Sequence, residues 1–90
     1  MKVKEKDIAS LCRTLGNSRR LAILAHLKRR KEADVGDIAS HLKLSFKATS
    51  RHLRALLIVD IVERDQRGLM AFYKLAPPTN IIVRNVINSL

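Results

Sequence analysis

The sequence predicts a small, mainly α-helical domain carrying one β-hairpin, and three observations predict it. Apolar residues recur at helical spacing in five segments. Two of those segments are short and about three residues apart, and the second is basic. Beyond them, two β-rich runs flank a glycine suited to a tight turn. The chain has 90 residues and no Gly/Ser/Pro-rich linker, so one domain over residues 1–90 is expected. A domain this small leaves much of its surface exposed, and pairing with a second copy would help.

Ile8, Leu11, Cys12 and Leu15 recur at i, i+3, i+4 and i+7, which predicts a helix over about 7–15, ended by Gly16. Cys12 sits in that stripe and reads as a small buried hydrophobe. Asn17 and Ser18 are good N-caps for "RRLAILAHLKRR", whose Leu21, Ile23, Leu24 and Leu27 point one way. The basic run "KRRK" at residues 28–31 reads as a solvated helix end, favourable beside the negative end of the helix dipole.

In "ADVGDIASHLKLS", Asp34 is the expected N-cap, with Asp37 three residues on in a variant of the capping box, and Ile38, Ala39 and Leu42 face inward. Ser45 then caps the next helix, "SFKATSRHLRAL". On a helical wheel Phe46, Thr49, Leu53, Leu56 and Leu57 gather on one side, with Ser50 at the edge. Lys47, Arg51 and Arg54 share another side, with Ile58 at its far end. Residues 38–59 contain no Asp or Glu, whereas a merely solvated helix usually mixes acids among its bases. Two short helices in this arrangement outline a helix-turn-helix.

"IVERDQ" and "LMAFYKL" then read as a hairpin whose turn uses Gly68 at positive φ. A helix-turn-helix followed by a two-stranded hairpin is the winged-helix arrangement, so the expected fold is a winged helix-turn-helix of about five helices plus a two-stranded wing. "APP" stops the second strand, and Thr79 is the expected cap of a last helix over about 79–90. Its apolar stripe is Ile82, Val83, Val86, Ile87 and Leu90. So apolar a terminal helix either completes the core or pairs with another chain.

Composition narrows the function. Eighteen Lys and Arg against eight Asp and Glu give a net charge of +10, which points to a polyanionic partner, nucleic acid or an anionic membrane surface. The N-terminus has no apolar core of a signal peptide, and "ALLIV" is far too short to span a membrane. One cysteine cannot form an intrachain disulfide, so the cytoplasm is the expected compartment. Only two Phe and one Tyr exist to stack on unpaired bases. There is no carboxylate pair, no nucleophile beside a base and no phosphate-cradling glycine loop, so an enzyme is not expected.

The chain resembles the ArsR-type (arsenical-repressor-like) winged-helix transcription regulators over roughly residues 8–76. The resemblance rests on "LGNSRRLAILAHL", with Arg20 at the family's basic position, on "DIASHLKLS" with "TSRHLRAL", and on "GLMAFYKL" as the return strand of the wing. It implies a homodimer joined through the first and last helices, with Ile8, Leu11, Ile82, Val83, Val86, Ile87 and Leu90 as interface residues. It also implies binding to inverted repeats in double-stranded DNA, with helix 45–57 in the major groove. Phe46, Lys47, Ser50 and Arg51 occupy the entering turns. Arg can bond a guanine bidentately, Lys can reach a guanine or phosphate, and Ser can reach base or backbone. Arg54 is expected at phosphate, and Phe46, aromatic where the family is polar, is expected to pack against its own domain, with contact to a thymine methyl as the alternative.

The wing departs from the pattern, since Leu69 and Met70 follow Gly68, leaving Arg64, Gln66 and Arg67 for backbone contacts. Metal sensing is not expected. Asp34 and Gly36 stand where the family's cysteine pair would be, and His26, His41 and His52 are not at i, i+4 spacing, so each reads as a surface or packing residue, His52 in contact with backbone or phosphate. No cofactor follows, and the sequence specifies no small-molecule effector. The leading expectation is a sequence-specific, homodimeric regulator, with repression as the expected sense of control. Two rivals stay open: a winged-helix protein-interaction module, and an architectural or RNA-binding protein using the same charge without reading sequence.

Overall fold

The computed structural model describes residues 4–90. Residues 1–3, the start of the expected 1–90 domain, lie outside the described residues. The elements follow as α1 (Glu5–Leu15), α2 (Ser18–Arg30), β1 (Ala33–Asp34), α3 (Val35–Leu42), α4 (Phe46–Ile58), β2 (Val62–Arg67), β3 (Met70–Leu75) and α5 (Ile81–Asn88). The order matches the expected winged helix-turn-helix, with one addition.

That addition is β1, which makes the sheet three-stranded in the order β1-β3-β2, all antiparallel. Ala33 pairs with Tyr73 and Asp34 with Phe72. Two residues are too few to register as alternation, and Asp34 is at once the last strand residue and the cap of α3. Its carboxylate accepts from the Asp37 N–H at 2.9 Å. The capping box is only half formed, because the Asp37 carboxylate turns to His26 instead.

The caps of α2, α4 and α5 are single polar oxygens that satisfy otherwise unpaired amides in the first helical turn, whereas α1 starts at Lys4 without a side-chain cap. The Asn17 side chain accepts from the N–H groups of Arg19 and Arg20, and Ser45 Oγ from that of Ala48. The last helix is capped by Asn80, not Thr79, through its side-chain oxygen and the Val83 N–H. Both residue types can cap, and it is Asn80 that adopts the extended backbone from which its side chain reaches the first turn.

The core is built around α2, whose Ile23, Leu24 and Leu27 are essentially inaccessible. Ile38 of α3, Leu53 and Leu56 of α4, Ile61 and Val62 at the hairpin base, and Val83 of α5 close over it. At roughly 1.5–3 kcal/mol for each such side chain, this burial is the main force holding the helices in place. Leu11 and Leu15 attach α1 to it. Cys12 corrects the sequence reading: it is exposed. Burial on α1 is confined to Leu11 and Leu15, so the apolar stripe drawn on the wheel is wider than the surface that covers it.

Candidate nucleic-acid interface

Thr49, Leu53 and Leu56 are fully buried and lock α4 to the core. The rotation they impose turns Lys47, Arg51 and Arg54 outward as exposed side chains, with Ser50 half-buried at the edge. These four residues, together with Arg64 and Tyr73 across from them, line an open trough between α4 and the wing. No acid from α4 enters it, since none exists between residues 38 and 59.

The wing sorts its charges by strand parity, because successive side chains point to opposite faces. Arg64 and Gln66 face the recess beside α4. They are linked to each other, Arg64 donating to Gln66 Oε1, and Gln66 Nε2 donates to Gly68 O at 2.9 Å. Arg67 lies on the alternate set with Glu63 and Asp65, away from that recess. Its guanidinium donates twice to Glu32, at 2.8 Å each, and once to Asp65 at 2.9 Å, and rests 4.5 Å from the Phe72 ring centroid. The Arg67 hydrogen bonds hold the Glu32 carboxyl below its usual range. Glu32, the partner that the sequence reading missed, is 35 positions away, beyond any local pattern.

A second constellation sits under α4. Arg20 of α2 donates from Nε to Nδ1 of His52 at 3.3 Å and from Nη1 to Thr14 O at 3.2 Å. Burial, then the nearby Arg20, Arg19 and Arg51 charges, hold the His52 imidazole below its ordinary value. The neutral ring with its proton on Nε2 is the form that accepts at Nδ1. Instead of meeting backbone, His52 couples α4 to α2.

The other histidines are structural neighbours of each other. Buried His26 bonds Asp37 at 3.0 Å and stacks on His41 with centroids 4.2 Å apart. That hydrogen bond is the main reason the Asp37 carboxyl lies below its ordinary value. Among the described residues no group of three or more His, Cys, Asp or Glu could hold a metal ion. No described helix is long and apolar enough to cross a membrane.

Phe46 is 64% exposed and does not pack as a core staple. As the first residue of α4 it projects beyond the elements that cover Thr49 and Leu53. The "KRRK" end is solvated, yet Lys28 also donates to the carbonyl oxygens of Ile87 and Leu90 at 2.9 Å, tying the end of α5 to α2. Of the expected interface residues, Leu11 and Val83 are buried within their own chain. Ile8, Ile82, Val86 and Ile87 are half-buried and Leu90 is exposed. Ile81 and Ile58, 63% and 71% exposed, add apolar surface near the same elements.

The model of the family described as "Bacterial regulatory protein, arsR family" matches residues 17–64, from the cap of α2 into β2. HlyU from Vibrio cholerae N16961, in its reduced form, is 32% identical with a TM-score of 0.79; the match covers 94% of this chain and 85% of HlyU. The transcriptional repressor PagR of Bacillus anthracis is 28% identical with a TM-score of 0.75, covering 93% of this chain and 92% of PagR. The homodimeric winged helix-turn-helix DNA-binding domain Mb0332 from Mycobacterium bovis is 27% identical with a TM-score of 0.76, covering 93% of this chain and 71% of that one. A search of curated protein sequences returns no match.

Proposed function

The chain belongs to the arsR family of bacterial regulatory proteins, and from that premise we propose that it is a homodimeric, sequence-specific DNA-binding transcriptional regulator that acts as a repressor. The observation that carries this reading is the acid-free basic face of α4, opposed across a trough by Arg64 and held in one rotation by Leu53 and Leu56. Arg51 and Lys47 address guanine edges in the major groove, Ser50 a base or phosphate, and Arg54 a phosphate. Arg64 and Gln66 of the wing meet the adjacent backbone. Arg67 was expected to do the same, but its donors are already committed to Glu32 and Asp65, so we assign it to bracing the wing.

Homodimerisation is supported by the description of Mb0332, and repression by that of PagR. The dimer joins α1 and α5 of each copy through Ile8, Ile82, Val86, Ile87 and Leu90, with Leu11 and Val83 as the packed layer beneath. Two-fold symmetry then sets the two α4 helices on half-sites about one DNA turn apart, so the operator is an inverted repeat. The protein works as one cytoplasmic domain, without cofactor or catalysis.

Selection of bound duplexes from a random-sequence pool, followed by titration of the winner against bulk DNA at several salt concentrations, tests the proposal. The expected result is an enriched inverted repeat whose binding weakens steeply with salt. No enrichment over bulk DNA would leave charge-driven, non-specific binding, and preference for structured RNA would favour an RNA-binding role.

A further inference from the structure

One end of the DNA-facing surface is apolar. Phe46, Leu69 and Met70 are all substantially exposed, Leu69 completely so. With Val35, Ala71 and Tyr73 they line a recess of ≈ 320 Å³ between the start of α4, the start of α3 and the wing. The recess shares Ser50, Arg64 and Tyr73 with the basic trough, so the two form one continuous surface.

Phosphate is a poor occupant of this end. Asp34 lines it and would repel an anion, while Arg64, its one cation, is shared with the basic trough, where it is assigned to the DNA backbone. Phe46 stands one turn before Ser50 and next to Lys47, at the leading edge of the helix assigned to the major groove. Among the base edges displayed there, thymine alone offers an apolar group, its 5-methyl, and phenylalanine is one of the side chains that contact it.

We infer that Phe46 is a specificity-determining residue that reads the 5-methyl group of one thymine in each half-site, with Leu69 and Met70 as the outer wall that excludes water from the contact. This rests on the duplex-DNA reading above and adds to it a base identity that charge cannot supply. Arg, Lys and Ser recognise hydrogen-bonding groups of the bases, whereas methyl recognition needs only apolar surface.

The test uses the full chain and the duplex selected from the random pool. Each thymine of the half-site is replaced in turn by deoxyuridine, which removes the methyl and preserves base pairing. The wild type is expected to lose about fourfold in affinity at one thymine, as one buried methyl implies. Phe46→Ala should bind the thymine duplex more weakly by a similar factor and no longer distinguish thymine from deoxyuridine there. Phe46→Leu should recover part of the discrimination. Because Phe46 is largely exposed, the variants should keep the wild-type melting temperature and salt slope. A selected motif whose thymines all tolerate deoxyuridine would overturn the inference while leaving DNA binding intact, and so would Phe46→Ala retaining the discrimination. A Phe46-dependent affinity with no methyl effect would assign the ring to stacking or kinking of the duplex and also overturn it. Absence of any selected motif would instead refute the DNA reading, and this inference with it.

Discussion

Arg20 donates from Nε to His52 Nδ1 at 3.3 Å, joining the second helix to the helix that carries the basic face. The acceptor must be neutral for this contact to hold. Its pKa is depressed in the folded state, chiefly by burial and then by Arg20, Arg19 and Arg51. The unfolded chain therefore takes up this proton first, so the His52 contribution to stability is complete above about pH 6.5 and is lost as pH falls through the lower, folded value. Thermal melts between pH 7.5 and pH 5 should show a fall in melting temperature that is shallower in His52→Asn. An equal slope in the two proteins would remove His52 as its source.

Arg51 and Arg64 lie on opposite walls of the same trough, and their replacement should have different signatures. Arg51→Ala should cost roughly 1–3 kcal/mol of specific affinity and relax preference at one base position, whereas Arg64→Ala should weaken binding to all sequences and lower the salt slope by about one. Competitive titrations on the selected operator and a scrambled duplex read both quantities. An unchanged specific affinity for Arg51→Ala would displace α4 as the reading helix.

Arg67→Ala should behave as a stability variant. With its guanidinium held by Glu32 and Asp65, its loss should lower the melting temperature and leave the salt slope of binding unaltered. A reduced slope would return Arg67 to phosphate contact.

Leu53 fixes the pose of α4 from within the core and is fully buried. Leu53→Ala should destabilise the fold by about 2–5 kcal/mol, through lost apolar burial and the cavity left behind. Urea unfolding gives the number directly. In a domain this small, such a loss should be accompanied by weaker operator binding even where every basic side chain is present.

Lys31 closes α2 at φ 72° and ψ −43°, a backbone conformation that side-chain-bearing residues rarely adopt. Relief of that strain should outweigh the backbone entropy cost of glycine, so Lys31→Gly is expected to stabilise the protein by about 1 kcal/mol. A rise of several degrees in melting temperature would be seen by calorimetry. A decrease would show that the Lys31 side chain contributes more than its backbone costs.

The sequence by itself determined the elements that depend on neighbours within a turn or two: the apolar stripes of the five helices, the caps at Asn17, Asp34 and Ser45, and the hairpin about Gly68. It also determined that α4 would oppose a core face to an acid-free basic one, because both faces arise from the same helical repeat. The tertiary structure alone decided what covers each stripe. It left Cys12 and Phe46 exposed, since an apolar position on a wheel is buried only where another element lies against it. It turned Arg67 away from the α4 recess toward Glu32, set Arg20 against His52 and added β1 beside β3. Those pairings join residues 32 or more positions apart, at distances along the chain that no local periodicity encodes.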